Sequence, residues 1–244
     1  MRLLIIRHGD PDYEKDSLTE KGWREAKFLS ERLVKENITK FYVSPLGRAK
    51  DTASFTLEKY GAQAEELEWL REFNTKLIWR PDVKDSRIIP WDWLPQDWTV
   101  RDEFYDAKGW QENEIMKEAR IGEEYERVTD NFDRFLAKHG YERDGRLYHV
   151  THSNNDTLAL FCHFGLGCVL ISHLLGVSPV TLWHGCCAAP SSVTTFTTEE
   201  RREGKALFRM SSFGDISHLY VHGEPPAFAA RFCETFDNAD QRHD

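Results

Sequence analysis

Arg7, His8 and Gly9 stand in succession directly after the apolar run Leu3-Leu4-Ile5-Ile6. Arginine offers a planar fork of donors that matches a phosphate, histidine can attack phosphorus, and glycine lets backbone approach closely. A short apolar run closed by a turn signal reads as a strand buried on both faces, as in parallel sheets. Such strands deliver ligands to their carboxyl ends, where this triplet stands.

Three further polar sites follow the same pattern. Lys40-Phe41-Tyr42-Val43 reads as a second strand, and Ser44-Pro45-Leu46-Gly47-Arg48 turns it into a helix. Arg48 then falls in a first helical turn, beside backbone N–H groups suited to an anion. Leu67 to Leu70 is a third strand candidate and ends at Arg71-Glu72; Thr157 to Cys162 is a fourth and ends at His163-Phe164-Gly165. Two arginines, two histidines and one carboxylic acid therefore fall just beyond strand ends. His152, in Thr151-His152-Ser153-Asn154, competes with His163 but lacks the apolar strand immediately before it, and reads as a hairpin or loop residue. Asp10, Glu65 and Asp82 are alternatives to Glu72 as the acid, whereas His173, His184 and His218 read as residues of the fold.

In these residues the chain resembles the histidine phosphatase superfamily, with its phosphoglycerate-mutase-like fold. The carriers are Arg7-His8-Gly9, Ser44-Pro45-Leu46-Gly47-Arg48-Ala49 with Thr52-Ala53 one turn on, Glu72, and His163. The resemblance continues to Ser191-Ser192-Val193-Thr194 and His218-Leu219. Two positions depart from the family pattern. Phe164 intervenes between His163 and Gly165, where many members have glycine directly after the second histidine. Phe73 follows Glu72, where the true mutases usually carry arginine. The resemblance implies His8 as nucleophile and carrier of a phosphohistidine, and Arg7 and Arg48 as the phosphate clamp, completed by His163 as donor. Glu72 is then the acid, kept protonated by anionic surroundings, that serves the leaving oxygen and later activates water. It implies a phosphomonoesterase of the histidine acid phosphatase kind, a hydrolase of small-molecule phosphomonoesters that requires no metal or organic cofactor. A phosphoglycerate-type mutase and a non-catalytic phospholigand-binding module are the alternatives; Phe73 and the short segment after His8 count against the mutase.

The intervening elements have to hold these turns together. Thr19 can cap a helix carrying Ala26, Leu29 and Leu33; Ala49, Ala53, Leu57 and Tyr60 form a stripe behind Arg48, ended by Gly61. A long helix passes through Tyr125, Val128, Phe132 and Phe135 to about His139, and another follows His163 from Gly165 to Leu175. Later strands are expected at Val193–Phe196 and Ala206–Met210. The alternation predicts an α/β fold, a three-layer α/β/α sandwich around a mostly parallel sheet, forming a single domain over residues 1–244. Residues 74–120 break the rhythm, and the resemblance implies that they are a lid-like insertion near the active-site mouth. Five of the chain's eight tryptophans (Trp79, Trp91, Trp93, Trp98 and Trp110) fall there. Most of them are expected to form a satellite core, and one or two to line a substrate pocket in which Lys76, Arg80, Lys84 or Arg87 meets a charged group.

Composition narrows the class without naming it. With 32 Lys plus Arg against 41 Asp plus Glu the formal charge is −9, which argues against a nucleic-acid-binding surface. No apolar stretch reaches transmembrane length, so no membrane partner is expected. Five cysteines, an odd number without Cys-x-x-Cys spacing, suit a reduced cytoplasm better than a disulfide framework or a zinc site. A homodimer is an assembly the sequence leaves open.

Overall fold

The computed structural model describes residues 1–74, 80–82 and 89–227. The chain opens with strand β1 (Arg2–Arg7), a small hairpin of β2 (Pro11–Asp12) and β3 (Ser17–Leu18), and helix α1 (Glu20–Leu33). Strand β4 (Lys40–Val43), helix α2 (Gly47–Tyr60) and the short strand β5 (Glu65–Glu66) follow. Short helices α3 (Pro95–Trp98) and α4 (Glu114–Glu118) lead to the long α5 (Ile121–Lys138). The second half holds β6 (Tyr141–Asp144), β7 (Leu147–Val150), β8 (Thr157–Cys162), α6 (Phe164–Leu175) and α7 (Pro179–Gly185). It closes with β9 (Val193–Arg202), β10 (Lys205–Asp215) and α8 (Ser217–Val221).

Eight strands form one sheet in the order β5-β4-β8-β1-β9-β10-β7-β6. The half from β5 to β1 is parallel, whereas β9, β10, β7 and β6 each pair antiparallel with the preceding neighbour. Only β9 and β7 therefore oppose β1, so six of the eight strands share one direction and the mixed sheet is mostly parallel.

Strand β1 shows why three layers form. Successive side chains on a strand point to opposite faces. Leu3 and Ile5 join a core with α5, α6 and α7, while Leu4 and Ile6 join a second core with Leu29 and Leu33 of α1 and Ala49 and Ala53 of α2. An unbroken apolar run is what a strand covered on both faces requires. The expected helix ends hold: the Thr19 side chain accepts from Gly22 N–H, and Gly61 closes α2 in the left-handed region at φ +59°.

Two expectations are corrected. The strand expected over Leu67–Leu70 is displaced to Glu65–Glu66, and Glu68–Leu70 winds into a 3-10 turn. Trp69 and Leu70 both enter the same core, which alternation along a strand forbids. The insertion's tryptophans do not make a satellite either. Trp91, Trp93 and Trp110 belong to the main core on the α5–α6 side, where Trp110 meets Trp183 edge to face at 5.8 Å. Trp79, Lys76, Lys84 and Arg87 lie outside the described residues. Among the described residues, no helix is long and apolar enough to cross a membrane.

Because Ile6 is fully buried between β1 and the α1–α2 layer, Ile6→Ala is expected to cost about 2–5 kcal/mol. Urea unfolding should show this as a lower midpoint at unchanged slope; a shift equivalent to under about 0.5 kcal/mol would mean a loosely packed layer.

Candidate active site

Strands β4, β8 and β1 lie side by side and run the same way, so their carboxyl ends open at one edge of the sheet. The register is tight there. Arg7 lies opposite Cys162 and Val43 opposite Phe161; His8 N–H donates to the Cys162 carbonyl at 3.0 Å and Ser44 N–H to the Phe161 carbonyl at 2.9 Å. Arg7, His8, Ser44, Arg48 and His163 are thereby brought together, with the His8 and His163 rings 5.2 Å apart. On the other side of β1, Ser191 N–H donates to the His8 carbonyl at 2.9 Å. Ser191 holds a left-handed φ of +63°, and its hydroxyl meets His218 Nε2 at 3.0 Å.

His8 is buried, and its Nδ1 lies 2.7 Å from the Gly9 carbonyl. A carbonyl can only accept, so Nδ1 carries the proton and Nε2 keeps its lone pair. Burial, then the charges of Arg7 and Arg48, hold the imidazole well below its usual range; the Gly9 contact opposes them. A neutral, oriented imidazole results. Burial also disfavours the charge on Arg7, but a guanidinium stays protonated at working pH. Arg7 donates to the Ala188 carbonyl and lies over the Phe164 ring, 5.4 Å from its centre.

Arg48 is placed by the β2–β3 hairpin. Asp16, in a left-handed turn at φ +49°, accepts from Gly47 N–H at 2.7 Å and from Arg48 Nη1 at 2.6 Å. It thus caps α2, whose N-cap Leu46 has no capping side chain. A Cβ on Gly47 would stand 2.1 Å from the Asp16 carbonyl oxygen, so the approach requires glycine. Thr52 links the two motifs by accepting from Gly9 N–H at 2.9 Å and donating to the Arg48 carbonyl at 2.7 Å.

His163 stands behind His8 as the N-cap residue of α6. Ser44 Oγ accepts from Leu46 N–H at 3.3 Å and lies 2.7 Å from His163 Nε2. The other ring nitrogen, Nδ1, is a buried atom without a hydrogen-bond partner among the described residues. Burial, then His8 and the arginines, keep His163 neutral.

Glu72 reaches the start of α6. Its Oε1 accepts from Phe73 N–H and Leu166 N–H, both at 2.8 Å, and Oε2 from Gly165 N–H at 3.3 Å. Burial raises its pKa against the pull of these N–H groups and of Arg48. The expected cause is thereby corrected: the protein's own groups around Glu72 favour the anion, and desolvation is what favours the acid.

A cavity of about 610 Å³ opens over Arg7, His8, Arg48 and Glu72, and Asn74, Ile89 and Trp91 of the 74–120 segment line it. His163 is set back from it, beside a void of about 20 Å³ that it shares with Arg7. Arg80 turns away to Asp82 at 2.8 Å and Asp92 at 3.8 Å. Of the alternative acids, Asp10 accepts from the Thr19 hydroxyl at 2.6 Å, Glu65 is exposed on β5, and Asp82 holds Arg80. His152 lies on the loop between β7 and β8, His173 pairs with Asp133 at 2.9 Å, and His184 meets the Val180 carbonyl at 2.9 Å.

Sequence reasoning missed Glu25. This fully buried carboxylate on α1 accepts from Asp10 N–H at 2.8 Å and so braces the turn after His8. Lys21 Nζ is 3.9 Å from its other oxygen. Burial raises its pKa to about 7. The sequence signal that separates Glu25 from the solvated glutamates around it is its place on the edge of the Ala26–Leu29–Leu33 stripe.

The family model of the histidine phosphatase superfamily (branch 1) matches residues 3–210, and the chain belongs to that superfamily. An adenosylcobalamin/alpha-ribazole phosphatase of Salmonella typhi is 22% identical over 223 residues, covering 86% of this chain and 99% of that protein. A variant phosphoserine phosphatase of Entamoeba histolytica, solved with phosphoserine, matches with a TM-score of 0.56 at 18% identity, over 89% of this chain and 98% of that one. A mycobacterial glucosyl-3-phosphoglycerate phosphatase solved with VO3 gives 0.55 at 21% identity, over 87% and 98%. At these identities the two structures show a shared fold.

Glu25 generates a pH prediction. With a folded pKa of about 7 against an ordinary 4.5, the folded state keeps a proton that the unfolded chain loses between those values. Its contribution to stability is present below the lower value and declines as pH rises through the higher. Glu25→Gln keeps an acceptor without titrating, so its stability relative to the parent should improve by roughly 2 kcal/mol between pH 5 and pH 8. Urea unfolding of both proteins at both pH values measures this; a constant difference would place Glu25's titration elsewhere.

Proposed function

We propose that this protein hydrolyses small-molecule phosphate monoesters through a phosphohistidine on His8. One observation carries the reading: a buried, neutral imidazole, its Nδ1 fixed on the Gly9 carbonyl, in a cavity with two arginines and a carboxyl group. A phosphoryl group carries negative charge that repels nucleophiles, and its ester hydrolyses extremely slowly unaided. Arg7 and Arg48 neutralise the phosphoryl oxygens, and His163, whose Nδ1 has no partner among the described residues, is assigned as a further donor with its proton on that atom.

In the first step His8 Nε2 attacks phosphorus and the bond from phosphorus to the alcohol oxygen breaks. Glu72 gives that oxygen its proton. We assign the proton to Oε2, because Oε1 already accepts two short bonds and Oε2 one long one. In the second step water attacks phosphorus, the anionic Glu72 takes a proton from it, and the P–N bond breaks. Phosphate leaves, and imidazole and acid are restored. Every proton in this scheme moves on groups of this chain, in the manner of a histidine acid phosphatase.

His8→Ala is expected to lower turnover by at least about a thousandfold and to abolish acid-labile, alkali-stable phosphoenzyme in rapid-quench experiments. Parent-like rates in the folded variant would remove His8 from the mechanism. Glu72→Gln tests the acid separately. Alkyl phosphates, whose leaving groups need a proton, should slow by about 10²–10⁴-fold. An activated aryl phosphate should still release its alcohol in a burst and then turn over slowly. Equal losses for both esters in the chemical step would make Glu72 structural.

A further inference from the structure

The reaction above concerns the phosphoryl group; the cavity walls bear on the alcohol. Two cations stand on the rim beyond the clamp, and each has a carboxylate partner at the surface. Arg71 pairs with Glu68 at 3.2 Å, and Arg127 grips Glu124 through two bonds of 2.7 Å. Among the described lining residues, a carboxylate on the alcohol finds no unpaired cation outside the clamp itself.

Aromatic surface is what the walls supply. Each guanidinium of the clamp has a ring beside it, Phe164 for Arg7 and Tyr13 for Arg48, each 5.4 Å from ring centre to guanidinium carbon. Phe164 is the residue by which this chain departs from the family pattern after the second histidine. It meets Trp91 edge to face at 6.0 Å. Trp91 in turn lies on Gly165, where a Cβ would stand 2.1 Å from the indole ring, so any side chain at 165 would push this wall out of place. Tyr13 and Ile89 are 65% and 40% exposed, and both line the cavity, so each has apolar surface to offer a ligand. A cavity of about 610 Å³ has room for a ring system besides the phosphate.

Resting on the proposed reaction, we propose that the substrate is a monoester whose alcohol bears a flat, uncharged aromatic group, seated against Tyr13, Ile89 and Trp91. Flat rings gain from offset stacking and edge contacts that saturated groups of equal size lack. Such a group would also cover the aromatic edges around the clamp, excluding water from the phosphoryl site.

The test uses three esters with similar alkoxide leaving groups, so that binding and not leaving-group chemistry is compared: 2-phenylethyl phosphate, 2-cyclohexylethyl phosphate and 3-phosphoglycerate. The expected kcat/KM for the phenyl ester exceeds each of the others by at least about tenfold. Tyr13→Ala should shrink the phenyl-to-phosphoglycerate ratio by about fivefold or more, while Tyr13→Phe preserves it. Trp91→Phe, which retains a ring on Gly165, should lower the same ratio less than Tyr13→Ala does. Equal or faster hydrolysis of 3-phosphoglycerate overturns the proposal, and a cyclohexyl ester as good as the phenyl ester overturns its aromatic part. In either case, turnover of 4-nitrophenyl phosphate with a trapped phosphohistidine leaves the reaction standing. Absence of both overturns the reaction and, with it, this inference.

Discussion

A buried and a partly buried guanidinium group beside a neutral imidazole are the constraint on which the rest of this structure depends. Desolvating like charges together is costly, and one broken contact would leave a charge uncompensated. The fold meets that cost with fixed partners. Arg7 has the Ala188 carbonyl and the Phe164 ring, and Arg48 has Asp16 and the Tyr13 ring. The Asp16 contact requires both a left-handed backbone at Asp16 and a glycine at position 47. What remains is positive potential facing a cavity, prepared before any ligand arrives. Preorganised charge of this kind does not have to reorient as negative charge spreads over a transferring phosphoryl group.

Rigidity comes from the sheet and not from the turns themselves. β8 is hydrogen-bonded to β4 on one side and β1 on the other, so the three exits cannot slide independently without breaking the ladder that buries both cores. Glu25 and Thr52 then bind the Gly9-Asp10 turn to α1 and α2. Gly22 is part of the same arrangement: a Cβ there would stand 2.2 Å from the Asp10 carbonyl oxygen, so α1 can seat against the turn only because that position is glycine.

The sequence made these central strands legible because each is an apolar run ended by a turn. The outer ones were not. β5 is two exposed glutamates held to β4 by backbone pairing, a contact that leaves no apolar pattern behind. The hairpin of β6 and β7 carries Glu142, Arg143 and Asp144 and has no run to betray it. Arg7, His8 and Arg48 could be placed from local signals, and the choice of His163 over His152 rested on the strand before it. The environment of Glu72 could not be read that way, since its helix-end partner Leu166 is 94 residues distant. Phe164 was visible as a departure from pattern, but its place against Arg7 and Trp91 depends on a segment more than 70 residues earlier in the chain, which is a tertiary contact and not a local one.

The state of Glu72 links binding to chemistry in the proposed reaction. Left to the protein's own groups, the carboxyl is pulled both ways: burial favours the acid, while Leu166, Phe73 and Gly165 N–H groups and Arg48 favour the anion. A phosphate dianion entering beside Arg48 changes that balance in one direction. It occupies the cation that had favoured the carboxylate, adds negative charge nearby and displaces water, and each of these changes raises the carboxyl pKa. Substrate binding therefore prepares its own acid. After the alcohol departs, Glu72 is an anion facing a phosphohistidine, and transfer of a water proton to it relieves the repulsion between the two. The helix-end N–H groups matter in this second stage, because they let the carboxylate exist between the steps at the amino end of α6, where a negative charge is favourable. In the proposed reaction one carboxyl group can thus serve both half-reactions, because burial raises its pKa while the N–H groups and Arg48 support its anion, and the phosphoryl group passing through the site tips it first one way and then the other.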